Sequence, residues 1–311
     1  MITPSFADAL SRFVFERAAV RGAVVSLDTT CREILACHPY PPALQRVLAE
    51  LLAAAALLAS SLKFKGSLIV QLQGDGPVRL LVVECDATLS LRATAQWRND
   101  AAALDADTQL ATLAGGTAEA RLVITLDPKD GGPLYQGIVG LEAASIAAMI
   151  QHYLTASEQI DSRLVLARAG QSARGLLLQR LPSGGAEDDA TWQRAADRVE
   201  ALPPEMLLDA GDPAMLLRTA FPDDDVRLFK PHPARFACGC SEERIANALR
   251  LLGRGEIESI LTEQGMVGVT CEFCNRQYTF LADDARALFA QDALHVRSDP
   301  EGGTPPSSIR H

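Results

Sequence analysis

The sequence predicts an α+β protein: an amino-terminal domain of mixed sheet and helix, a linker of short helices, and a small carboxy-terminal unit built around cysteines. Three observations lead there. Strand-like segments between residues 22 and 180 follow one another mostly through turns, which favours α+β over a doubly wound parallel sheet. At LPSGGAEDDA, residues 181–190, Pro, Gly, Ser and acids replace apolar alternation and mark a boundary. Beyond it, four of the seven cysteines fall in two tight pairs, Cys238/Cys240 and Cys271/Cys274.

Taken in order, MITPSFADALSRFVFER opens the chain with no basic start and no continuous apolar core, so it does not read as a secretory signal. GAVVSLD, 22–28, reads as a strand. ALQRVLAELLAAAALLASSL, 43–62, started by Pro41-Pro42, is the most apolar helix candidate. Arg46 and Glu50 leave only Leu51 to Leu62 uncharged, and a membrane span needs about 20 apolar residues, so a buried helix is expected. Residues 67–84 read as two strands, SLIVQLQ and VRLLVVE, joined by the hairpin turn GDGP. Gly74-Asp75-Gly76 is a turn and not a phosphate loop, because no helix begins after it and no Gly-Lys-Ser/Thr follows. Further strands are expected at 89–95, 121–127, 135–141, 163–168 and 174–180. Ile146, Met149, Ile150, Tyr153 and Leu154 recur at helical spacing and mark one face of a helix over 145–156.

Residues 1–182 are thus expected to form the amino-terminal domain and 183–231 a metastable helical linker. From 181 to 230, eleven Asp or Glu stand against five Lys or Arg. Short apolar patches interrupt this acidity: Trp192/Ala195/Ala196/Val199, Met206-Leu207-Leu208 and Met215-Leu216-Leu217. Pro203-Pro204, Pro213 and Pro222 chop the segment, and helices this short need a surface to pack on. Two readings stay open, a linker that folds only while docked and an ordinary helical insertion in one rigid core.

Residues 232–295 form the third unit, and 296–311 a polar tail expected to be disordered. Ser241 caps a helix with Glu242 and Glu243 in its first turn and Gly253 past its end; Ile245, Ala248, Leu249 and Leu252 are expected on one face. Cys238 and Cys240 precede that helix N-terminus, whose partial positive charge favours thiolates. C-E-F-C is a turn between the apolar run Met266 to Val269 and the strand-like Tyr278-Thr279-Phe280, and resembles a zinc knuckle.

Four thiolates in two close pairs suit one tetrahedral Zn2+ per chain, held by Cys238, Cys240, Cys271 and Cys274. A unit of about sixty residues gains little from burial, so its fold is expected to depend on the metal. With four cysteines and no open position, the metal is not expected to be catalytic, and the protein is not expected to be an enzyme. C-E-F-C precedes a strand instead of opening a helix, which weakens a thiol-oxidoreductase reading of Cys271/Cys274. Spacing alone leaves open a structural zinc site in an interaction module and a redox switch. Cys31, Cys37 and Cys85 lie in apolar surroundings and are expected to be core residues.

Composition narrows the partners. The 311 residues are 48% hydrophobic and 22% charged, ordinary for a soluble globular protein. A net charge of −10 disfavours nucleic acid and anionic membrane as partners. From 238 to 295 five Arg face nine acids, which counts against a nucleic-acid-binding zinc ribbon. A cytoplasmic protein is expected, where thiols stay reduced and paired cysteines indicate metal or redox chemistry.

F-x-C-x-C-S-x-E-R followed by C-E-F-C-N-x-x-Y-x-F resembles the carboxy-terminal zinc domain of the thirty-three-kilodalton redox-regulated heat-shock chaperone family. HPYPPALQRVLAELL (38–52), LKFKGSLIVQLQGDGPVRLLVV (62–83), YQGIVGLE (135–142) and SEQIDSRLVLA (157–167) resemble its amino-terminal domain. The resemblance implies an ATP-independent holdase, inactive when reduced and zinc-bound. It implies that oxidation expels zinc and joins Cys238 to Cys240 and Cys271 to Cys274, and that the active form is a homodimer binding unfolding proteins. In that reading the opened linker offers Trp192, Met206, Leu207, Leu208, Met215, Leu216 and Leu217 to clients, Met being adaptable on such a surface.

Overall fold

The computed structural model describes residues 8–62, 66–98, 101, 104–116, 120–141, 145–182 and 185–289. The predicted tail 296–311 lies outside them, as do Ser183 and Gly184 at the predicted boundary. Contacts divide the chain into two units, Met1–Cys238 and Gly239–His311.

The first unit begins with β1 (Ala9–Phe15), β2 (Val20–Leu27), α1 (Thr29–Leu35) and α2 (Pro42–Ser61). It continues through β3 (Ser67–Gln73), β4 (Val78–Asp86), β5 (Ser90–Trp97), α3 (Leu110–Ala114), β6 (Arg121–Asp127), β7 (Tyr135–Gly140), α4 (Ile146–Ala156), β8 (Ser162–Ala169) and β9 (Ser172–Arg180). Three helices follow, α5 (Ala186–Glu200), α6 (Pro204–Asp209) and α7 (Pro213–Ala220), then the short strands β10 (Val226–Leu228), β11 (His232–Pro233) and β12 (Arg235–Phe236). One sheet has the order β10-β1-β2-β9-β8, with β11 also on β1; the other runs β12-β5-β4-β3-β6-β7. Every pair is antiparallel except β12 with β5, in keeping with the α+β class.

Helix α2 packs against both sheets, and fourteen of its twenty residues are buried. A helix apolar all round needs such enclosure. The run Ala53–Ala56 has no side chain beyond Cβ, so strands approach it closely. Among the described residues this is the one helix long and apolar enough to cross a membrane, and it is a core helix here. Its partner sheet β1-β2-β9-β8 is buried on both faces, which explains the unbroken run Leu176-Leu177-Leu178: Leu177 faces the α2 cluster, whereas Leu176 and Leu178 face a second cluster with α5–α7. Phe13 and Phe15 join that second cluster. The ring of Phe13 fills the space a Cβ at its cross-strand partner Gly22 would need, 2.2 Å away.

The predicted hairpin 67–84 forms as β3 and β4. Asp75 and Gly76 both donate their N–H to the carbonyl of Ala114, at 3.0 and 3.1 Å, so the GDG turn spends its donors on backbone. A side chain at Gly76 would collide with that same segment, 2.2 Å from the Gly115 nitrogen. In α4, Ser145 caps Ala148 and the five predicted apolar residues are all buried.

Strand β1 went unread in the sequence, as did β10–β12. The helix α1 has no capping side chain of its own. The Asp8 carboxylate supplies one from across the chain, accepting from the N–H of Asp28, Thr29 and Thr30 at 2.9, 3.0 and 2.7 Å. Burial pushes Asp8 up, but these hydrogen bonds outweigh it and hold the carboxyl below its ordinary value.

In the second unit α8 (Glu242–Leu252) and α9 (Arg254–Gln264) precede the hairpin β13 (Met266–Thr270) and β14 (Gln277–Leu281), and α10 (Ala282–Ala287) follows. Among the described residues seven apolar side chains form its buried cluster: Ala246, Leu249, Ile257, Leu261, Val267, Phe280 and Ala285. The inward face of α8 differs from the expected one. Ala246 and Leu249 point in, Ile245 is half-buried, and Ala248 and Leu252 are exposed.

Candidate metal centre

Each cysteine pair is presented by a local device. Ser241 Oγ accepts from the Arg244 N–H at 3.2 Å and starts α8 directly after Cys240. The Arg244 guanidinium reaches back to the Gly239 carbonyl at 2.7 Å, between the two cysteines. In the second pair, the Cys271 N–H donates to Arg276 O and the Asn275 N–H to Cys271 O, both at 2.9 Å. Asn275 closes the turn at φ +58°, a left-handed conformation that asparagine tolerates better than most residues.

The four sulfurs of Cys238, Cys240, Cys271 and Cys274 lie within 4.8 Å of one another. Cys240 and Cys274, from different pairs, approach to 3.3 Å. Sulfurs bound to one Zn2+ at about 2.3 Å stand about 3.8 Å apart at tetrahedral angles. The donor set therefore fits a zinc ion, and the cluster is compatible with a zinc-binding site. All seven cysteines are among the described residues, and none is in a disulfide.

Two neighbours of the cluster were not read from the sequence. The Tyr278 hydroxyl donates to Cys240 Sγ at 3.2 Å, and that sulfur above all pushes the phenol pKa up. Partial burial works against the charge of the Arg92 guanidinium on β5, but Glu84 and then Cys238 outweigh it. Nothing in their local sequence marks either as a sulfur partner, although Tyr278 stands at a fixed place in C-E-F-C-N-x-x-Y.

The remaining cysteines divide. Cys31 and Cys85 are buried as expected, and burial pushes the Cys31 thiol up to about 12 and the Cys85 thiol further. Both stay protonated and poorly nucleophilic. Cys37 is only half-buried, with its sulfur 3.4 Å from the Glu33 carbonyl. It sits at the end of α1, where one side of the turn meets solvent.

The candidate client residues lie on α5–α7, within the first unit. Trp192, Leu207, Leu216 and Leu217 are buried against the sheet, with Met206 and Leu208 packed partly on the same cluster. Met215 is 50% exposed. Polar contacts reinforce the docking: Arg194 meets Asp224 at 2.8 Å, and Arg198 meets Asp223 at 2.5 Å and Asp224 at 3.4 Å.

The Hsp33 protein family profile matches residues 8–281. The chain belongs to the Hsp33 family. Hsp33 relatives named 33 kDa chaperonin include that of Methylobacillus flagellatus, 44% identical over 94% of this chain and 98% of its own length. The namesake from Chromobacterium violaceum is 43% identical, over 92% of this chain and 95% of its own. The crystal structure of the 33 kDa chaperonin from Thermotoga maritima shares the Hsp33 fold at a TM-score of 0.76 and 20% identity, covering 92% of this chain and 99% of that one. Membership places the protein in a chaperone family, which implies binding of client proteins.

Proposed function

We propose that this protein is a redox-regulated, ATP-independent holdase whose switch is the four-cysteine centre. The observation that carries the reading is the gathering of four sulfurs within 4.8 Å, three of them from a unit whose buried apolar cluster has only seven side chains among the described residues. Bound zinc would hold Cys238, Cys240, Cys271 and Cys274 as thiolates and contribute most of that unit's folding energy. Thiolates are the form a peroxide attacks. Four of them pass four electrons to two molecules of hydrogen peroxide, with uptake of four protons. Two disulfides, Cys238–Cys240 and Cys271–Cys274 by family resemblance, and four waters result, and the released sulfurs no longer bind metal.

The unit then loses its main support, and the linker 183–231 follows. Its undocking uncovers Trp192, Leu207, Leu216 and Leu217 together with the sheet face they shield, for unfolding clients; the oxidised protein acts as a homodimer. Eleven acids in this stretch keep the opened protein soluble. A chemically unfolded client diluted into buffer tests the reading by light scattering. Suppression only by protein pretreated with warm peroxide is expected. If neither the reduced zinc-loaded nor the oxidised protein suppresses scattering, the zinc is structural and the protein is an interaction module. Suppression by both would remove the redox gate.

A further inference from the structure

A cavity of about 120 Å³ opens where the C-terminal end of α2 meets β1, β2 and β9. Its polar lining is Arg12, Arg21, Gln179, Ser60 and Ser61, with Phe229, just past β10, beside them. Strand register puts the two arginines on one face of the sheet. Arg12 stands opposite Ala23 and Arg21 opposite Val14, so they are diagonal neighbours within reach of long side chains. Arg21 is fixed, its Nε donating to Gln179 Oε1 at 3.1 Å and its Nη2 to the Ser61 carbonyl at 3.3 Å. Nη1 takes no part in either bond. The Ser60 and Ser61 hydroxyls donate to the carbonyls of Leu57 and Leu58 at 2.8 and 3.0 Å, and the Gln179 amide nitrogen to Ser162 Oγ at 3.4 Å. The donors left to face the cavity are therefore those of the arginines.

Charge does not balance here. A helix C-terminus carries about half a negative charge, which Arg21 alone answers. Arg12 is exposed; among the described residues neither arginine forms an ion pair, and no Asp or Glu lines the cavity. Elsewhere in this unit neighbouring arginines share an acid, as Arg194 and Arg198 share Asp224. Burial, and after it the charge of Arg12, push the Arg21 guanidinium pKa down.

We propose that this cavity binds one tetrahedral oxyanion, a free phosphate or the phosphoryl end of a monoester, clamped between the guanidinium groups of Arg12 and Arg21. A guanidinium fork matches phosphate oxygens bidentately, and a doubly charged ion relieves the repulsion of both arginines at once. Size sets the class. Pockets for drug-sized ligands have about 300–1,000 Å³, so this one takes an ion or a single phosphoryl group and not a whole nucleotide. The Phe229 N–H donates to Arg12 O at 2.9 Å, so one wall is the segment that returns from the linker helices to β1. An anion clamping Arg12 therefore also steadies that segment on the sheet.

The test uses reduced full-length protein, titrated calorimetrically with inorganic phosphate, with AMP, and with chloride at matched ionic strength. Wild type is compared with Arg12→Gln, Arg21→Gln and Arg32→Gln, the last removing an exposed arginine on α1 outside the cavity. One phosphate per chain is expected to bind saturably. Arg12→Gln and Arg21→Gln should each weaken it about tenfold or more, the usual worth of a charged hydrogen bond, and Arg32→Gln less than twofold. Hydrogen exchange at the Phe229 amide should slow with phosphate in wild type and not in Arg12→Gln. Arg12 is exposed, so slow β3 and β4 amides in its variant separate lost binding from lost fold. AMP binding as tightly as phosphate assigns the site to monoesters, and AMP binding much more weakly assigns it to the free ion. No saturable phosphate binding, chloride acting equally, AMP binding without phosphate, or equal losses in Arg12→Gln and Arg32→Gln would each overturn the proposal.

Discussion

In the first unit a twenty-residue helix is enclosed between two six-stranded sheets, whereas in Gly239–Phe289 the buried apolar cluster has seven side chains. The larger unit can hold its shape by removing apolar surface from water. The smaller one exposes Leu251 at 90% and Leu252, Met266 and Leu281 in part, and supplies three of the four clustered sulfurs, those of Cys240, Cys271 and Cys274. A similar contrast recurs within the first unit. One face of the β1-β2-β9-β8 sheet meets an uncharged stretch of α2; the other meets the fifteen-residue α5 and the short α6 and α7, tethered by the ion pairs of Arg194 and Arg198 with Asp223 and Asp224. Stability held by burial is hard to switch. Stability held by a metal, or by marginal helices, can be withdrawn by chemistry.

The strongest challenge to this contrast is removal of the metal. Chelation should cost the small unit about 10 kcal/mol. Amides of 242–281 should then exchange as in an open chain while those of β3, β4 and β6 stay slow; persistent protection of α8 and β13 would mean the core suffices. Next in size, Leu48→Ala in α2 and Trp192→Ala in α5 should each cost about 3 kcal/mol. Their consequences should differ. The first lowers the global denaturation midpoint, and the second raises exchange across 186–220 in the reduced protein with little effect elsewhere. If Trp192→Ala unfolds the whole unit, the helices are part of one rigid core.

Asp8 offers a smaller effect of about 1 kcal/mol, the usual worth of a helix cap. Its pKa is lowered in the folded state, so its contribution is complete above the ordinary carboxylate value and fades as pH falls through the folded value. Asp8→Asn should flatten that part of the acid dependence of the denaturation midpoint; an unchanged profile would remove Asp8 from the account. Smallest of all, Arg194→Gln should loosen α5 by about 0.5 kcal/mol, and molar salt should largely hide the difference. A salt-independent loss would point to packing instead of charge.

Much of this was legible because it is local. The hairpin 67–84, the capped helix after Ser145, the cap at Ser241 and the turn C-E-F-C each depend on neighbours a few residues apart. β1 escaped notice because Ser11 and Arg12 blur its alternation, and its buried Phe13 and Phe15 acquire meaning only against Phe221, whose ring lies 5.0 Å from that of Phe15. The strands β10–β12 are two or three residues long and exist only where another strand offers an edge.

By itself the sequence determined most of the longer strands and the helices α2, α4 and α8, that four sulfurs come in two presented pairs, and the family to which those pairs point. Spacing along a chain sets dihedral preference, capping and turn geometry, so such features need no partner. Tertiary structure alone decided that Asp8 caps a helix twenty residues away, that α5–α7 cover the second face of a sheet, and that the Tyr278 hydroxyl meets Cys240 Sγ. Those contacts join residues as far apart as Phe15 and Phe221, and are set by which edges and faces remain open once the core has closed.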